Sequence, residues 1–96
     1  MIVKFSVVHG TESGRQLDEG LEMTKLLRKR RRRIMVDGGS FETLWNRCIP
    51  TVYEEDGYSI PLAAQVKGAV SIPVIGQNKM SDPAMACAAI ENGGCD

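Results

Sequence analysis

Ser71-Ile72-Pro73-Val74-Ile75-Gly76-Gln77-Asn78-Lys79-Met80-Ser81-Asp82-Pro83, residues 71–83, is the stretch whose reading decides the fold. The apolar run 71–75 predicts a strand, with Pro73 tolerable near its beginning. Residues 76–81 read as a loop. Asp82 followed by Pro83 is a helix N-cap with proline at the first helical position. Residues 84–91 continue as an alanine-rich helix that Asn92-Gly93-Gly94 stops. A strand feeding through a short turn into a helix is the repeating unit of parallel α/β proteins.

The same unit recurs outward from this stretch. Pro61 stands where a helix would start, and Leu62, Ala63, Val66, Ala69 and Val70 form its apolar stripe. Upstream, Ile34-Met35-Val36 is a short apolar strand halted by Asp37-Gly38-Gly39-Ser40, and its brevity predicts burial on both faces. Ile2-Val3-Lys4-Phe5-Ser6-Val7-Val8 is rich in β-branched residues and ends at His9-Gly10, so it reads as a strand entering a loop. Leu17, Leu21, Met23, Thr24, Leu26 and Leu27 recur at helical spacing, with acids early and bases late to complement the helix dipole. Residues 41–58 have weak periodicity and contain Pro50; they predict a long excursion with one helical turn over 42–47. Long loops in compact domains are often functional. The order is β-α-β-α-β-α. It favours a parallel sheet and is satisfied by a doubly wound sheet or by part of a barrel.

Composition bounds the function classes. The chain has 96 residues, 43% hydrophobic and 25% charged, ordinary for a soluble globular protein. No apolar stretch approaches the ~18 residues of a membrane span, and residues 1–8 are too short and too polar for a signal peptide. The expectation is a soluble, cytoplasmic protein without membrane contact. Formal charge is zero, yet six of the twelve basic residues form one run, Arg28-Lys29-Arg30-Arg31-Arg32-Arg33. Such a run attracts polyphosphates through counterion release. A small nucleic-acid-binding module using that run is therefore the alternative functional reading, although no aromatic residues interleave it and no reading element accompanies it. The three cysteines, Cys48, Cys87 and Cys95, are widely spaced and suggest neither zinc nor an iron–sulfur cluster.

In parallel α/β proteins, ligands bind at the carboxyl ends of strands. That rule selects Val8-His9-Gly10, Asp37-Gly38-Gly39-Ser40 and Gly76-Gln77-Asn78-Lys79. In the third, small residues expose backbone N–H groups, a helix N-terminus follows, and Lys79 adds a cation, so phosphate is the expected guest. Glycine after a strand also simply makes turns. Lys4, mid-strand among apolar neighbours, needs a partner or an exposed face. His9 is more readily a hydrogen-bonded structural residue than a general acid, and Asp37 either caps its own turn or orients a ligand hydroxyl. Tyr53 and Tyr58 lie in the long loop and could stack on a ring or donate protons.

Taken in order, Ile2-Val3-Lys4-Phe5, Val8-His9-Gly10, residues 14–22 (Gly-Arg-Gln-Leu-Asp-Glu-Gly-Leu-Glu), Val36-Asp37-Gly38-Gly39-Ser40, Ile49-Pro50-Thr51-Val52-Tyr53 and the series from Val70 to Gln77 with Asp82-Pro83 resemble the old yellow enzyme superfamily. The branch in view is that of 2-enoate reductases, 2,4-dienoyl-CoA reductases and bile-acid-inducible NADH:flavin oxidoreductases. The resemblance implies that residues 1–96 are a partial FMN-binding domain, strand 5 through helix 7 of a TIM (β/α)8 barrel, incomplete at both ends. It implies an FMN-dependent, NAD(P)H-using ene-reductase that reduces the activated C=C bond of a small-molecule substrate such as a 2-enoate. By the same resemblance Lys4 faces the pyrimidine side of FMN, Gly76, Gln77, Asn78 and Lys79 hold its phosphate, and Trp45 and Tyr53 lie on the substrate side. Some relatives place a histidine proton donor near Trp45 or Asn46, so no catalytic residue is assigned here. None of the cysteines matches the family's iron–sulfur ligands. An incomplete barrel is expected to be inactive alone, and its open edges favour self-association.

Overall fold

The computed structural model describes residues 1–29, 32–44 and 48–96. Six elements follow one another: β1 (Ile2–Val8), α1 (Leu17–Arg28), β2 (Arg33–Gly38), α2 (Ile60–Ala69), β3 (Val74–Ile75) and α3 (Pro83–Glu91). The three strands form one sheet in the order β1-β2-β3, and both pairings are parallel. The protein is thus a small α/β domain of three parallel strands and three helices, built as β-α-β-α-β-α.

Register sorts the side chains. Val3 pairs with Ile34, Phe5 with Val36, and Ile34 with Val74, so these residues share one face with Val7. Val7, Ile34, Val36 and Val74 join Ala63 and Val66 of α2, Ala89 of α3 and Cys95 in the buried core, with Leu17, Leu21 and Leu27 of α1 packed against it. All three helices therefore serve the same face. The opposite face carries Ile2, Lys4, Ser6, Arg33, Met35, Asp37 and Ile75. Among the described residues no helix covers it; Ile2 is 52% exposed and Met35 and Ile75 are half-buried. The expectation that β2 is buried on both faces is corrected: of the apolar run 34–36 only Ile34 and Val36 are enclosed, and Met35 on the other face is not.

The third strand is also shorter than the apolar run 71–75. Pro73 has no N–H to give a ladder, and pairing begins only at Val74, although the Pro73 carbonyl still accepts from the Ile34 N–H at 3.0 Å. The cap expected at the last helix forms, with the Asp82 carboxylate accepting from the Ala84 N–H at 2.9 Å. Beyond α3 the chain returns alongside β3. The Asp96 N–H donates to the Val74 carbonyl (2.8 Å), and the Val74 N–H donates to the Asp96 side chain (3.0 Å). Lys67 of α2 closes this clasp with an ion pair to Asp96 at 3.0 Å and a hydrogen bond to the Cys95 carbonyl.

Gly20 sets how closely α1 lies on β1. A Cβ at this position would stand 2.0 Å from the Val7 carbonyl oxygen. Mid-helix alanine is ordinarily better than glycine by about 1 kcal/mol, but here the contact with backbone dominates. Gly20→Ala should lower unfolding free energy in urea by at least about 2 kcal/mol. The Val74 N–H hydrogen bond, then Lys67, hold the Asp96 carboxyl below the usual carboxylate range. A depressed pKa contributes stability at neutral pH that is lost as pH falls through the folded value, below about pH 4. Stability measured against pH should therefore drop less steeply in that window for Asp96→Asn than for the natural chain.

Candidate functional site

Alternation puts Lys4, Ser6, Met35 and Asp37 on the uncovered face, and the parallel register sets Ser6 beside Asp37. Lys4 lies one step lower on β1. Its flexible stem carries the ammonium up to Asp37 Oδ2 at 3.1 Å, with the Lys4 side chain 54% and the Asp37 side chain 14% exposed. So enclosed a carboxylate requires partners, and it has two more. The Gly38 N–H donates to Asp37 Oδ1 (3.0 Å), and the Asn78 side-chain amide reaches the same oxygen at 3.5 Å. Asn78 also lies 3.1 Å from the Tyr58 hydroxyl. Residues from β1, the end of β2, the loop before α2 and the turn after β3 thus meet at the carboxyl ends of the strands. A cavity of about 260 Å3 opens beside them, lined by Val8, Gly38, Tyr58, Ser59, Pro61, Leu62 and Gln65.

The turn after β3 has a demanding backbone. Asn78 (φ 71°) and Lys79 (φ 48°) are both left-handed, a conformation that non-glycine residues adopt at a cost and that clusters at functional positions. The end of the long loop holds this turn in shape: the Ser59 hydroxyl donates to the Gln77 carbonyl, the Gly57 N–H to the Lys79 carbonyl, and Lys79 to the Glu54 carbonyl. Lys79 is also ion-paired with Asp56 at 3.3 Å. The side-chain Nε2 of Gln77 is buried without a partner. Gly76 has a packing reason for lacking a side chain, since a Cβ would stand 2.7 Å from Ile60 Cδ1 and 3.2 Å from Cys95 Sγ.

The other candidates separate from this cluster. His9 is structural: its Nδ1 accepts from the Arg15 N–H (3.0 Å), its own N–H donates to the Arg15 carbonyl, and its carbonyl accepts from the Thr43 hydroxyl. Tyr53 is 93% exposed. Trp45, and the part of the expected 42–47 turn that contains it, lie outside the described residues. Within the basic run, Arg30 and Arg31 do likewise; Arg33 pairs with Ile2, at the amino end of the strands and away from Asp37.

Sequence reasoning missed one contact and one residue of the cluster. Asp37 was legible as a turn cap, but its ion pair with Lys4 follows from register, which places both residues on one face of adjacent strands. Cys48 lies over the end of β2, its thiol donating to the Gly38 carbonyl at 3.2 Å. Burial, then the Asp37 charge, push this thiol above its ordinary range, and Lys4 opposes them. A thiol so placed is an S–H donor at neutral pH rather than a thiolate. Among the described residues no group of three or more potential ligand side chains is placed to hold a metal ion.

No family model matches the chain. Among curated proteins it is similar to the cinnamate reductase of Clostridium sporogenes, with 31% identity over 86 residues. That alignment takes in 88% of this chain and 13% of the reductase, so the chain spans about an eighth of the length of the relative it matches. By its name that relative is a reductase, so the similarity links this sequence to an oxidoreductase. Among the described residues no helix is long and apolar enough to cross a membrane.

If Asp37 and Lys4 act on Cys48 as their charges require, Asp37→Asn should shift the pH midpoint of Cys48 alkylation by iodoacetamide downward. Lys4→Met should shift it upward. Site-resolved mass spectrometry of the labelled chain checks both signs.

Proposed function

We propose that this chain is three consecutive β/α units of a flavin-dependent (β/α)8 barrel, of the kind that reduces an activated C=C bond. The observation that carries the reading is the meeting of Lys4 with the turn 77–79 through Asp37, at the carboxyl ends of parallel strands, in a sequence similar to a cinnamate reductase. Helices on one face only also support it. A doubly wound sheet carries helices on both faces, whereas a barrel wedge keeps its inner face for the lumen.

The residues present suit FMN. Lys4 supplies a half-exposed cation for the pyrimidine edge, the Gln77 Nε2 lacks an acceptor, and Asn78 holds the left-handed turn that would receive the phosphate end. When bound, FMN carries hydride from a nicotinamide donor to the carbon–carbon double bond of an enoate-like substrate. The chain's own part is electrostatic and steric: Lys4 stabilises negative charge beside it, and the wall of Tyr58 and Leu62 shapes the adjoining cavity. Lys79 reaches a phosphate only by leaving Asp56, so it contributes less than its charge suggests. Tyr53 and Trp45 stand as substrate-side residues of the intact barrel. The groove between β1 and α1, apolar along Val3, Phe5, Met23, Leu26 and Leu27, is where a neighbouring unit or a second copy would pack.

Titrating the purified chain with FMN and following flavin fluorescence tests this. Binding should be weak, because three of eight units carry only part of a flavin site, and Lys4→Met should weaken it further by about tenfold, the scale of one charge-assisted contact. Absence of binding, or binding indifferent to Lys4, would remove the flavin reading.

A further inference from the structure

We infer that Asp37 is the positioning residue of this rim: its carboxylate fixes the Lys4 ammonium relative to the Asn78 turn, so that both present to one ligand. The inference rests on the flavin reading for the identity of that ligand and on geometry for the rest. Two features single Asp37 out. Its two oxygens are divided, Oδ2 to Lys4 at 3.1 Å and Oδ1 to the Gly38 N–H at 3.0 Å, with Asn78 at 3.5 Å from the latter. Its side chain is largely enclosed while that of Lys4 is largely exposed, so the carboxylate is the fixed member and the lysine the adjustable one. Lys4 has four rotatable side-chain bonds and would otherwise range over the uncovered sheet face.

An ion pair whose cation is half in solvent contributes little to stability, being screened and entropically costly. What it can contribute is preorganisation, which raises affinity by lowering the ordering cost of binding. Two accounts of Asp37 then predict opposite signs. If its charge merely competes with an anionic ligand for Lys4, neutralising it tightens binding. As a positioning residue, its neutralisation loosens binding although a repulsive charge has been removed. Cys48 and Tyr58 also border the cluster, but neither bridges β1 to the turn after β3.

The test has one arm with ligand and one without. With FMN, Asp37→Asn should weaken binding by about tenfold while Lys4→Arg, which keeps the cation, stays within about threefold of the natural chain. In the ligand-free chain, heteronuclear NMR should show Lys4→Met displacing the Asn78 side-chain amide signal, and that displacement should vanish when Asp37 is already asparagine. Unchanged or tighter FMN binding by Asp37→Asn would overturn the inference. So would an Asn78 signal that ignores Lys4. If the NMR coupling is present and no version of the chain binds FMN, the flavin reading falls and the positioning role of Asp37 stands. Retained helical circular dichroism verifies that Asp37→Asn is folded; the asparagine oxygen can still accept from the Gly38 N–H.

Discussion

Parallel pairing of β1 with β2 is the constraint on which the remaining architecture depends. With Val3 against Ile34 and Phe5 against Val36, one face becomes continuously apolar and the other receives Lys4 and Asp37. A shift of a single residue would exchange the faces, sending the ion pair beneath α1 and exposing the valines. The hydrophobic core and the polar cluster are therefore two outcomes of one register. Neither can be altered without the other.

Much of this architecture was legible in the chain. The β-branched run at the start, the dipole-matched helix after it, Pro61 near one helix start and Asp82-Pro83 at another each specify local structure through backbone chemistry, and each element forms at its expected place. What local pattern could not give was coverage. The apolar run Ile34-Met35-Val36 looks the same whether one or two layers of helices enclose it, and only the arrangement of all three helices leaves Met35 half-buried. The run 71–75 misled for a related reason: strand propensity counts side chains, but Pro73 withholds the N–H that pairing requires.

The candidate cluster was legible in its positions and not in its wiring. The strand-end rule selected the turns after β2 and β3, which meet through Asp37 and Asn78, yet it could not tell that the Lys79 ammonium is engaged by Asp56 and the Glu54 carbonyl, residues more than twenty positions away. Nor could spacing reveal that His9 serves the loop 9–15 or that the Cys48 thiol lies on the end of β2. Apart from Arg15, those partners belong to the long excursion between β2 and α2, which has no periodicity to read. Contacts made by such a loop are set by where its two anchors stand.

The clasp formed by Asp96 has a geometric corollary. The sheet's margins are unequal: on one side a seven-residue strand, β1, and on the other only two residues, with Val74 already hydrogen-bonded to the returning chain. A neighbouring backbone seeking a ladder finds a long rail at β1, whereas at β3 the chain's own return already occupies the start of the edge. Accretion by a foreign strand on this sheet consequently has a direction, proceeding outward from the amino-terminal strand.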